Sequence, residues 1–328
     1  MTTACASGLF TSDPIASRMR TAATPSTTFK IEPLGPFSLE AARVFLEGFT
    51  PGAGSADTSA GQLSIAFRAD RTFAPCIARM NQAHDGTVRV EVFGTDDGDA
   101  ARRQVARILS LDVDATEWPA IGERDRVVGA LQKRFPGSRP VVFPSPYEAA
   151  AWGVLGQRVS MRVAAGWKRA LATEYGDRVR VGSEVFSVFP SPAKLRDVDQ
   201  CGAIPHEKLM RLHAVADAAL AGVLDADRLR ATSEADALAT LEKIRGVGAW
   251  TAAHILMRGC GLADADPVAE PRVLRGFASA YGLDHTATEI EYARTSQRWR
   301  PFGMWVAVLL VRGIADSPAW HGRERRGR

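Results

Sequence analysis

The sequence predicts an α+β protein in which a small antiparallel α/β domain precedes a larger, mostly helical part. Apolar and polar residues alternate at Leu63–Arg68 and, after the turn pair Asp85-Gly86, at Thr87–Phe93, which is the period of half-buried strands. Beyond about Asp112 this alternation nearly disappears, and Ala, Leu, Arg and Glu recur at helical spacing. We therefore predict the α/β domain over residues 29–113 and the helical core over residues 114–320.

Elements of both kinds are expected in the first third of the chain. Residues 1–28 are rich in Ala, Ser and Thr without any period, so we predict a disordered lead there. Alternation begins near Thr28, and two helical stretches, around Leu39–Phe49 and Ala100–Leu109, interleave with the strands. The expected unit is therefore small and antiparallel.

The helical part begins its helices with recognisable caps. The letters F-P-S-P occur twice, at Phe143–Pro146 and Phe189–Pro192, and each time place Ser as the N-cap and Pro at the first helical position. At the first of them, Glu148 completes a capping-box pattern. We interpret the two stretches as helix starts and not as a functional repeat.

Composition limits the possible functions. With 46% hydrophobic and 24% charged residues, the chain has the composition of an ordinary globular protein. Its length of 328 residues suggests two or three packed units. The formal charge of +4 favours polyanionic partners, although part of it lies in the basic tail at residues 321–328. The four cysteines and six histidines are scattered without a C-x-x-C pair, which argues against a zinc site, an iron–sulfur cluster or a disulfide framework.

No feature of the sequence indicates a membrane. The apolar run Met304–Val311 is far shorter than the roughly 20 residues that a membrane span requires, and it predicts a buried helix. The N-terminus lacks a continuous apolar signal segment. We therefore expect a cytosolic protein.

One interrupted helix points to a ligand. Residues 244–252 read I-R-G-V-G-A-W-T-A, and a glycine inside a helix costs about 1 kcal/mol relative to alanine. The two glycines thus predict a helical hairpin over about residues 234–258, with a turn at Gly246–Gly248. Backbone N–H groups at such a tip, beside a helix N-terminus, suit a phosphate oxygen. A tight turn without any ligand is the alternative.

Four stretches together resemble one protein family. The pattern over Leu241–Ala252 resembles the helix-hairpin-helix of base-excision DNA glycosylases. Ser145–Ser160, which ends in G-Q-R-V-S, looks like the early helix of that superfamily, and Arg298–Trp305 is similar to its closing tryptophan-rich helix start. Pro36–Leu46 resembles the alkylation-repair branch, DNA-3-methyladenine glycosylase II. The resemblance covers roughly residues 29–315 and implies a two-lobed helical glycosylase core.

The resemblance implies how the protein would bind double-stranded DNA. Such enzymes extrude a nucleotide and plug the gap that it leaves. The implied DNA contacts are Gln157, Arg158, Gly246, Val247, Gly248 and Thr251. Arg158 stands at the position of the wedge residue, with an ordinary exposed arginine as the alternative. The backbone carbonyls of Ile244 and Val247 stand where relatives hold a monovalent cation, so Na⁺ or K⁺ is possible while no cofactor is required.

The resemblance also implies the chemistry. Strand-cleaving members carry a lysine where this sequence has Trp250, so we expect a monofunctional enzyme that uses water as the nucleophile. Trp250, His254 and Phe45 fall at positions of the base pocket. A neutral histidine there can stack on a cationic base, whereas a protonated one would repel it. Core packing is the alternative for Trp250.

The catalytic carboxylate departs from the family pattern. The D-x-x-P-x-x-D loop of the family corresponds here to residues 264–270, so Glu270 replaces the catalytic aspartate and Asp264 matches the structural one. The extra methylene displaces the charge by about 1.5 Å, and a misplacement near 1 Å costs about a hundredfold in rate. Val311 replaces a late tryptophan of the pocket. A surface acid that caps the following helix is the alternative for Glu270.

We expect a monomeric DNA glycosylase that releases alkylated bases of the 3-methyladenine and 7-methylguanine type by hydrolysis. A non-catalytic protein that binds damaged DNA is the main alternative, which Glu270 and Val311 favour. A helical scaffold for protein partners would leave the Gly246–Gly248 turn unexplained.

Overall fold

The computed structural model describes residues 19–48, 61–265 and 270–315, together with the backbone of Ala56–Asp57. The described residues form eight strands: β1 Arg20–Ala22, β2 Thr27–Ile31, β3 Ala56–Asp57, β4 Leu63–Arg68, β5 Pro75–Gln82, β6 Val88–Phe93, β7 Asp177–Val181 and β8 Glu184–Val188. Helices α1 Leu39–Gly48 and α2 Gly98–Ile108 accompany the early strands. The later helices are α3 Trp118–Arg124, α4 Arg126–Arg134, α5 Pro146–Gly156, α6 Met161–Glu174, α7 Pro192–Arg196, α8 His206–Leu220, α9 Ala226–Ala231, α10 Glu234–Leu241, α11 Ala249–His254, α12 Pro271–Tyr281, α13 Glu289–Ser296 and α14 Gly303–Ala315.

The N-terminal domain is built on an antiparallel sheet of strand order β2-β6-β5-β4-β3. Its core is mostly apolar, and Leu63, Phe67 and Met80 are inaccessible to solvent. Helix α2 begins at Gly98 because the Asp97 carboxylate accepts a hydrogen bond from the Ala100 N–H, 2.9 Å away. The predicted alternating strands at Leu63–Arg68 and Thr87–Phe93 are therefore confirmed as β4 and β6 to within one residue.

A second, three-stranded sheet corrects two predictions. Strand β1 pairs in parallel with β7, and β7 pairs antiparallel with β8. The predicted disordered lead is thus wrong for Arg20–Ala22 and for the start of β2 at Thr27, while residues 1–18 lie outside the described part. The β7–β8 hairpin interrupts the region predicted as helical. Its sequence signal is the alternation of arginine and valine over Arg178–Val181, which is short and lies among helix-forming residues.

The helical part packs around two apolar clusters. One cluster joins α5, α6 and α8–α11 with the π-helical turn Ile255–Gly259, and the other joins α3, α4 and α12–α14. Gly276 lets α12 approach α14 closely, since a Cβ there would lie 2.7 Å from the Leu310 carbonyl oxygen. In the sequence, residues 259–270 connect the first cluster to the second.

The helix starts at both F-P-S-P stretches are confirmed. Ser145 and Ser191 are N-caps, and each hydroxyl accepts a hydrogen bond from a backbone N–H of the first turn. The capping box at Glu148 is wrong in one half: the Glu148 N–H donates to Ser145, but its carboxylate instead pairs with Lys168 at 3.1 Å. Both charged groups of this pair are buried and have lost their hydration. The attraction between them offsets part of that cost.

Candidate active site

The two glycines of the hairpin turn differ in backbone conformation and in the space around their Cα atoms. Gly246 has φ of 89°, in the left-handed region, and a Cβ there would lie 2.7 Å from two side-chain carbons of Arg211. Gly248 has φ of −103° at the start of α11, and a Cβ there would meet nothing within 4 Å. The fold therefore requires Gly246, whereas the space at Gly248 stays open on the outside of the turn.

Backbone groups at the tip are only partly used by the fold. The Val247 N–H donates to the Ile244 carbonyl at 2.9 Å, and the Ala252 N–H donates to the Gly248 carbonyl at 2.9 Å. No side chain caps the start of α11, and the first N–H groups of a helix have no intrahelical partner. The Ile244 carbonyl keeps one lone pair, so it and the Val247 carbonyl fit the ligand chemistry of a monovalent cation.

Gln157 connects the end of α5 to the hairpin. Its Nε2 donates to the Gly246 carbonyl at 2.7 Å, and its Oε1 accepts from Arg211 Nη1 at 2.7 Å. The next residue, Arg158, is exposed and has φ of 56°. A non-glycine residue in the left-handed region costs of order 1–3 kcal/mol, and such strain concentrates at functional sites. The structure thus brings the predicted wedge position beside the predicted phosphate-binding turn.

The side chain of Thr251 is buried between α11 and α5. Only 4% of it is accessible, and its methyl group packs so closely on α5 that a Cβ at Gly153 would lie 2.6 Å from it. The Thr251 side chain therefore seals α11 against α5, and the predicted contact of Thr251 with DNA would have to be made by its backbone. Its backbone N–H, in the first turn of α11, is the group that remains for a ligand.

Trp250 and His254 form an aromatic stack on α11. Their rings lie 5.1 Å apart and nearly parallel, and the Phe143 ring meets His254 edge-on at 5.5 Å. Trp250 is 40% accessible, which argues against core packing as its role. Its Nε1 donates to Glu270 Oε2 at 3.1 Å, so the aromatic stack and the candidate catalytic carboxylate are adjacent.

Glu270 caps α12 and lies at the site at the same time. Its Oε1 accepts from the backbone N–H of Arg272 at 3.3 Å and from Arg272 Nε at 2.9 Å. The cap that was the alternative to a catalytic role is therefore present, and it leaves Oε2 turned toward Trp250. Asp264 is 3.0 Å from Arg300 Nη1, which fits a structural role, while residues 266–269 lie outside the described part.

His254 is neutral at physiological pH. Burial lowers the pKa of His254 to about 3, and the positive charges of Arg258 and Arg272 add to that effect. Its Nε2 is buried and has no hydrogen-bond partner among the residues that the structure describes. The choice left open by the sequence, between a neutral and a protonated ring, is thereby decided for the neutral ring.

Two arginines of the site were missed by sequence reasoning. The Arg258 guanidinium lies 5.8 Å from the centroid of the Phe45 ring, and its Nη2 donates to the Val141 carbonyl at 2.8 Å. Phe45 itself is half-buried on α1 against the N-terminal core. The available signals were short spacings: Arg258 follows His254 by four residues, and Arg272 follows Glu270 by two.

The remaining observations concern pocket walls, metals and membranes. Val311 packs against the apolar cluster of α12–α14. Within residues 19–48, 61–265 and 270–315, no three His, Cys, Asp or Glu side chains are grouped so as to hold a metal ion. Nor is any helix in that part long and apolar enough to cross a bilayer.

Comparison with known proteins relates the chain to DNA glycosylases. No family model matches the chain. In sequence it is similar to the DNA-3-methyladenine glycosylase of Bacillus subtilis (strain 168), at 26% identity over 212 residues, which are 62% of this chain and 69% of that protein. It is also similar to DNA-3-methyladenine glycosylase 2 of Escherichia coli (strain K12), at 27% identity over 56% of this chain and 62% of that protein.

Solved structures extend the likeness beyond the sequence matches. The 3-methyladenine DNA-glycosylase from Archaeoglobus fulgidus superimposes with a TM-score of 0.73 over 86% of this chain and 97% of that chain, at 19% identity. This likeness in sequence and in fold confirms the resemblance to DNA-3-methyladenine glycosylases. An 8-oxoguanine glycosylase/lyase from Clostridium acetobutylicum, in complex with dsDNA, has the same fold at a TM-score of 0.57 and 13% identity, covering 83% of this chain and 98% of that one.

Proposed function

We propose that this glycosylase-superfamily protein is a monofunctional DNA glycosylase that hydrolyses the N-glycosidic bond of alkylated bases in duplex DNA. One observation carries the proposal: the Glu270 carboxylate lies against the exposed Trp250 indole, with 3.1 Å between Oε2 and Nε1. A fixed carboxylate beside an accessible aromatic face is the arrangement that releasing a flipped base requires.

The proposed steps follow from this geometry. The hairpin tip binds the phosphate next to the lesion through free backbone N–H groups, and Arg158 fills the space of the extruded nucleotide. The base stacks at the Trp250–His254 pair. Glu270 stabilises the sugar cation that develops as the C–N bond breaks, and it orients and deprotonates the attacking water. The product is an abasic site, because Trp250 supplies no amine for a Schiff base.

The glutamate is compatible with this role because its extra length is taken up locally. Glu270 bends back onto its own helix start, where Arg272 holds Oε1 through both its backbone N–H and its Nε. The side chain is 17% accessible, so water can still reach it. Held in this way, the carboxylate has a defined position, which a free glutamate on a loop would lack.

Base release from alkylated duplex DNA tests the proposal. We expect wild type to release alkylated base, with 3-methyladenine and 7-methylguanine as the first substrates to assay, and Glu270→Gln to lose release while its DNA affinity stays within a few-fold. The substitution keeps the shape of the side chain and removes its charge. If wild type binds the DNA and releases no base, the protein is the non-catalytic damage binder.

The non-catalytic binder rests on specific observations. Arg272 forms an ion pair with Glu270 at 2.9 Å, and the resemblance implies that Val311 stands where the family has a late tryptophan of the pocket. Both features lower the rate of base release expected of the site, and neither changes the hairpin that would bind DNA.

Binding to duplex DNA should itself depend steeply on salt, because phosphate contacts displace counterions. We expect the affinity of a monomeric protein to fall severalfold or more between 50 and 200 mM salt, measured by fluorescence anisotropy. An affinity unchanged over that range would contradict DNA as the partner.

Adding Na⁺ or K⁺ at constant ionic strength tests the cation proposed at the Ile244 and Val247 carbonyls.

A further inference from the structure

The turn that carries Arg158 is held by a buried lysine of helix α8. Lys208 lies in the first turn of α8, and its side chain is buried. Its Nζ donates to three carbonyl oxygens at the end of α5, those of Val154 at 2.8 Å, Leu155 at 3.1 Å and Gln157 at 2.8 Å. An ammonium group has three N–H donors, so Lys208 directs all of them to this one end of α5.

These contacts satisfy carbonyls that α5 itself cannot bond. The last four C=O groups of a helix lack intrahelical partners, and the partial negative charge at that end attracts a cation. A lysine is seldom buried unless such partners surround it. Lys208 therefore fixes the backbone of Gln157, the residue directly before the left-handed Arg158. A strained conformation of this kind persists where the surrounding structure determines it strongly.

Arg211, one turn further along α8, holds Gln157 through its side chain. Arg211 Nη1 donates to Gln157 Oε1 at 2.7 Å, which leaves Gln157 Nε2 to donate to the Gly246 carbonyl at 2.7 Å. The aliphatic stem of Arg211 also lies against Gly246, where a Cβ would be 2.7 Å from its Cγ and Cδ. Helix α8 thus connects the Arg158 turn to the hairpin turn by two separate sets of contacts.

The charges beside these contacts are shared among three exposed residues. Glu207 accepts from Arg211 Nε at 3.2 Å and pairs with Arg245 at 3.2 Å. Exposed ion pairs contribute little to stability. The contacts that can hold the Arg158 turn in place are therefore those of Lys208 with the carbonyls and of Arg211 with Gln157.

We propose that Lys208 and Arg211 are positioning residues for Arg158, which they hold at a fixed distance from the Gly246–Gly248 turn. The inference rests on the proposed glycosylase function, in which Arg158 fills the space of an extruded nucleotide. A side chain whose backbone is fixed before DNA binds loses less conformational freedom on binding. Without these contacts Arg158 is still present, but filling the gap costs more entropy, so the preference for gapped DNA falls.

A double-mutant cycle with Arg158→Ala tests the proposal. The measured quantity is the ratio of the affinities for an abasic-site duplex and for the intact duplex, obtained by fluorescence anisotropy. Lys208→Met and Arg211→Met should each lower this ratio about threefold when Arg158 is present and should leave it unchanged when residue 158 is alanine. A residue that only stabilises the fold acts whether or not Arg158 is present. An equal change in both backgrounds, or no change in either, therefore overturns the proposal.

Arg245→Met is the matched control for charge. It removes one positive charge beside the same Glu207 and keeps the hydrogen bond between Arg211 and Gln157. We expect it to weaken binding to both duplexes by the same factor, because a surface charge acts on phosphates of either DNA. A fall in the ratio as large as that of Arg211→Met would assign the effect to charge and overturn the positioning role.

Urea unfolding shows first whether each variant folds. If Lys208→Met does not fold, the Arg211→Met cycle decides, because the Arg211 side chain is 34% accessible and its loss leaves α5 capped by Lys208. Should Arg158→Ala itself leave the ratio unchanged, the wedge role and this inference are both wrong. Release of alkylated base by wild type tests the glycosylase function separately, so equal changes in both backgrounds with release retained overturn the inference alone.

Discussion

The hairpin and the pocket beside it differ in which groups the fold leaves available to a ligand. At the hairpin, polar side chains serve the fold: Gln157 and Arg211 are bonded to each other, and Gln157 binds the turn. Backbone groups are what the turn leaves for a ligand. In the pocket, side chains are left incompletely satisfied, as at His254 Nε2, and charges stand close together, as at Arg272 and Glu270. The comparison indicates that binding is held by rigid backbone, while selectivity and chemistry depend on a few side chains.

Among the variants that compare the two regions, Glu270→Asp should have the largest effect, and on catalysis alone. The shorter side chain cannot keep its bonds to Arg272 and Trp250 Nε1 together, so base release should fall about a hundredfold. DNA affinity should stay within a few-fold, since Glu270 lies off the hairpin. Single-turnover release measures the first quantity and anisotropy the second. A rise in release would instead show that the glutamate site is a degraded version of the aspartate site.

Gly246→Ala and Gly248→Ala separate the two glycines of the turn. Alanine at position 246 is strained and collides with Arg211, so the free energy of unfolding should fall by about 2 kcal/mol. Alanine at position 248 meets open space, so stability should change by less than about 1 kcal/mol. We expect its methyl group to obstruct the phosphate and to weaken duplex binding about tenfold.

Urea unfolding and anisotropy measure both variants side by side. If Gly248→Ala binds DNA as wild type does, the open face of the turn is not the phosphate site. Equal destabilisation by the two variants would contradict the difference between their backbone environments.

Arg158→Ala should have a smaller effect, confined to gapped DNA. If Arg158 fills the space of an extruded nucleotide, its loss should weaken binding to an abasic-site duplex about fivefold more than binding to intact duplex, of the order of 1 kcal/mol. Arg158→Asn is a matched control for backbone strain, because asparagine tolerates the left-handed conformation better. Equal losses on both duplexes would reduce Arg158 to a general phosphate contact.

The smallest expected effect is on stability against pH. The folded-state pKa of His254 is about 3, below the ordinary 6.5, so below pH 6.5 the unfolded chain takes up a proton that the folded protein does not. Stability is therefore lost as the pH falls, by about 1 kcal/mol between pH 6.5 and 5 after allowance for partial exposure. His254→Phe keeps an aromatic ring and removes the titrating group. In this variant the loss of unfolding free energy between pH 6.5 and 5, measured by urea unfolding, should be smaller by that amount. An unchanged pH dependence would show that His254 is not held neutral by the fold.

Local patterns were enough to predict the hairpin, the helix starts at Ser145 and Ser191, and the strands at Leu63–Arg68 and Thr87–Phe93. Each of these depends on residues within about ten positions of one another, where periodicity and capping act directly. The β7–β8 hairpin has the same local signal, but the helix-forming residues on both sides of it outweigh that signal.

Tertiary structure alone decided the rest. The pairing of β1 with β7 joins segments more than 150 residues apart, and Thr251 is buried because Gly153 of another helix meets it. The neutrality of His254 depends on how α11, Arg258 and Arg272 pack together, since burial and neighbouring charge are properties of three-dimensional position. The sequence by itself thus determined which groups the site contains, and only folding decided which of them are exposed, paired or charged.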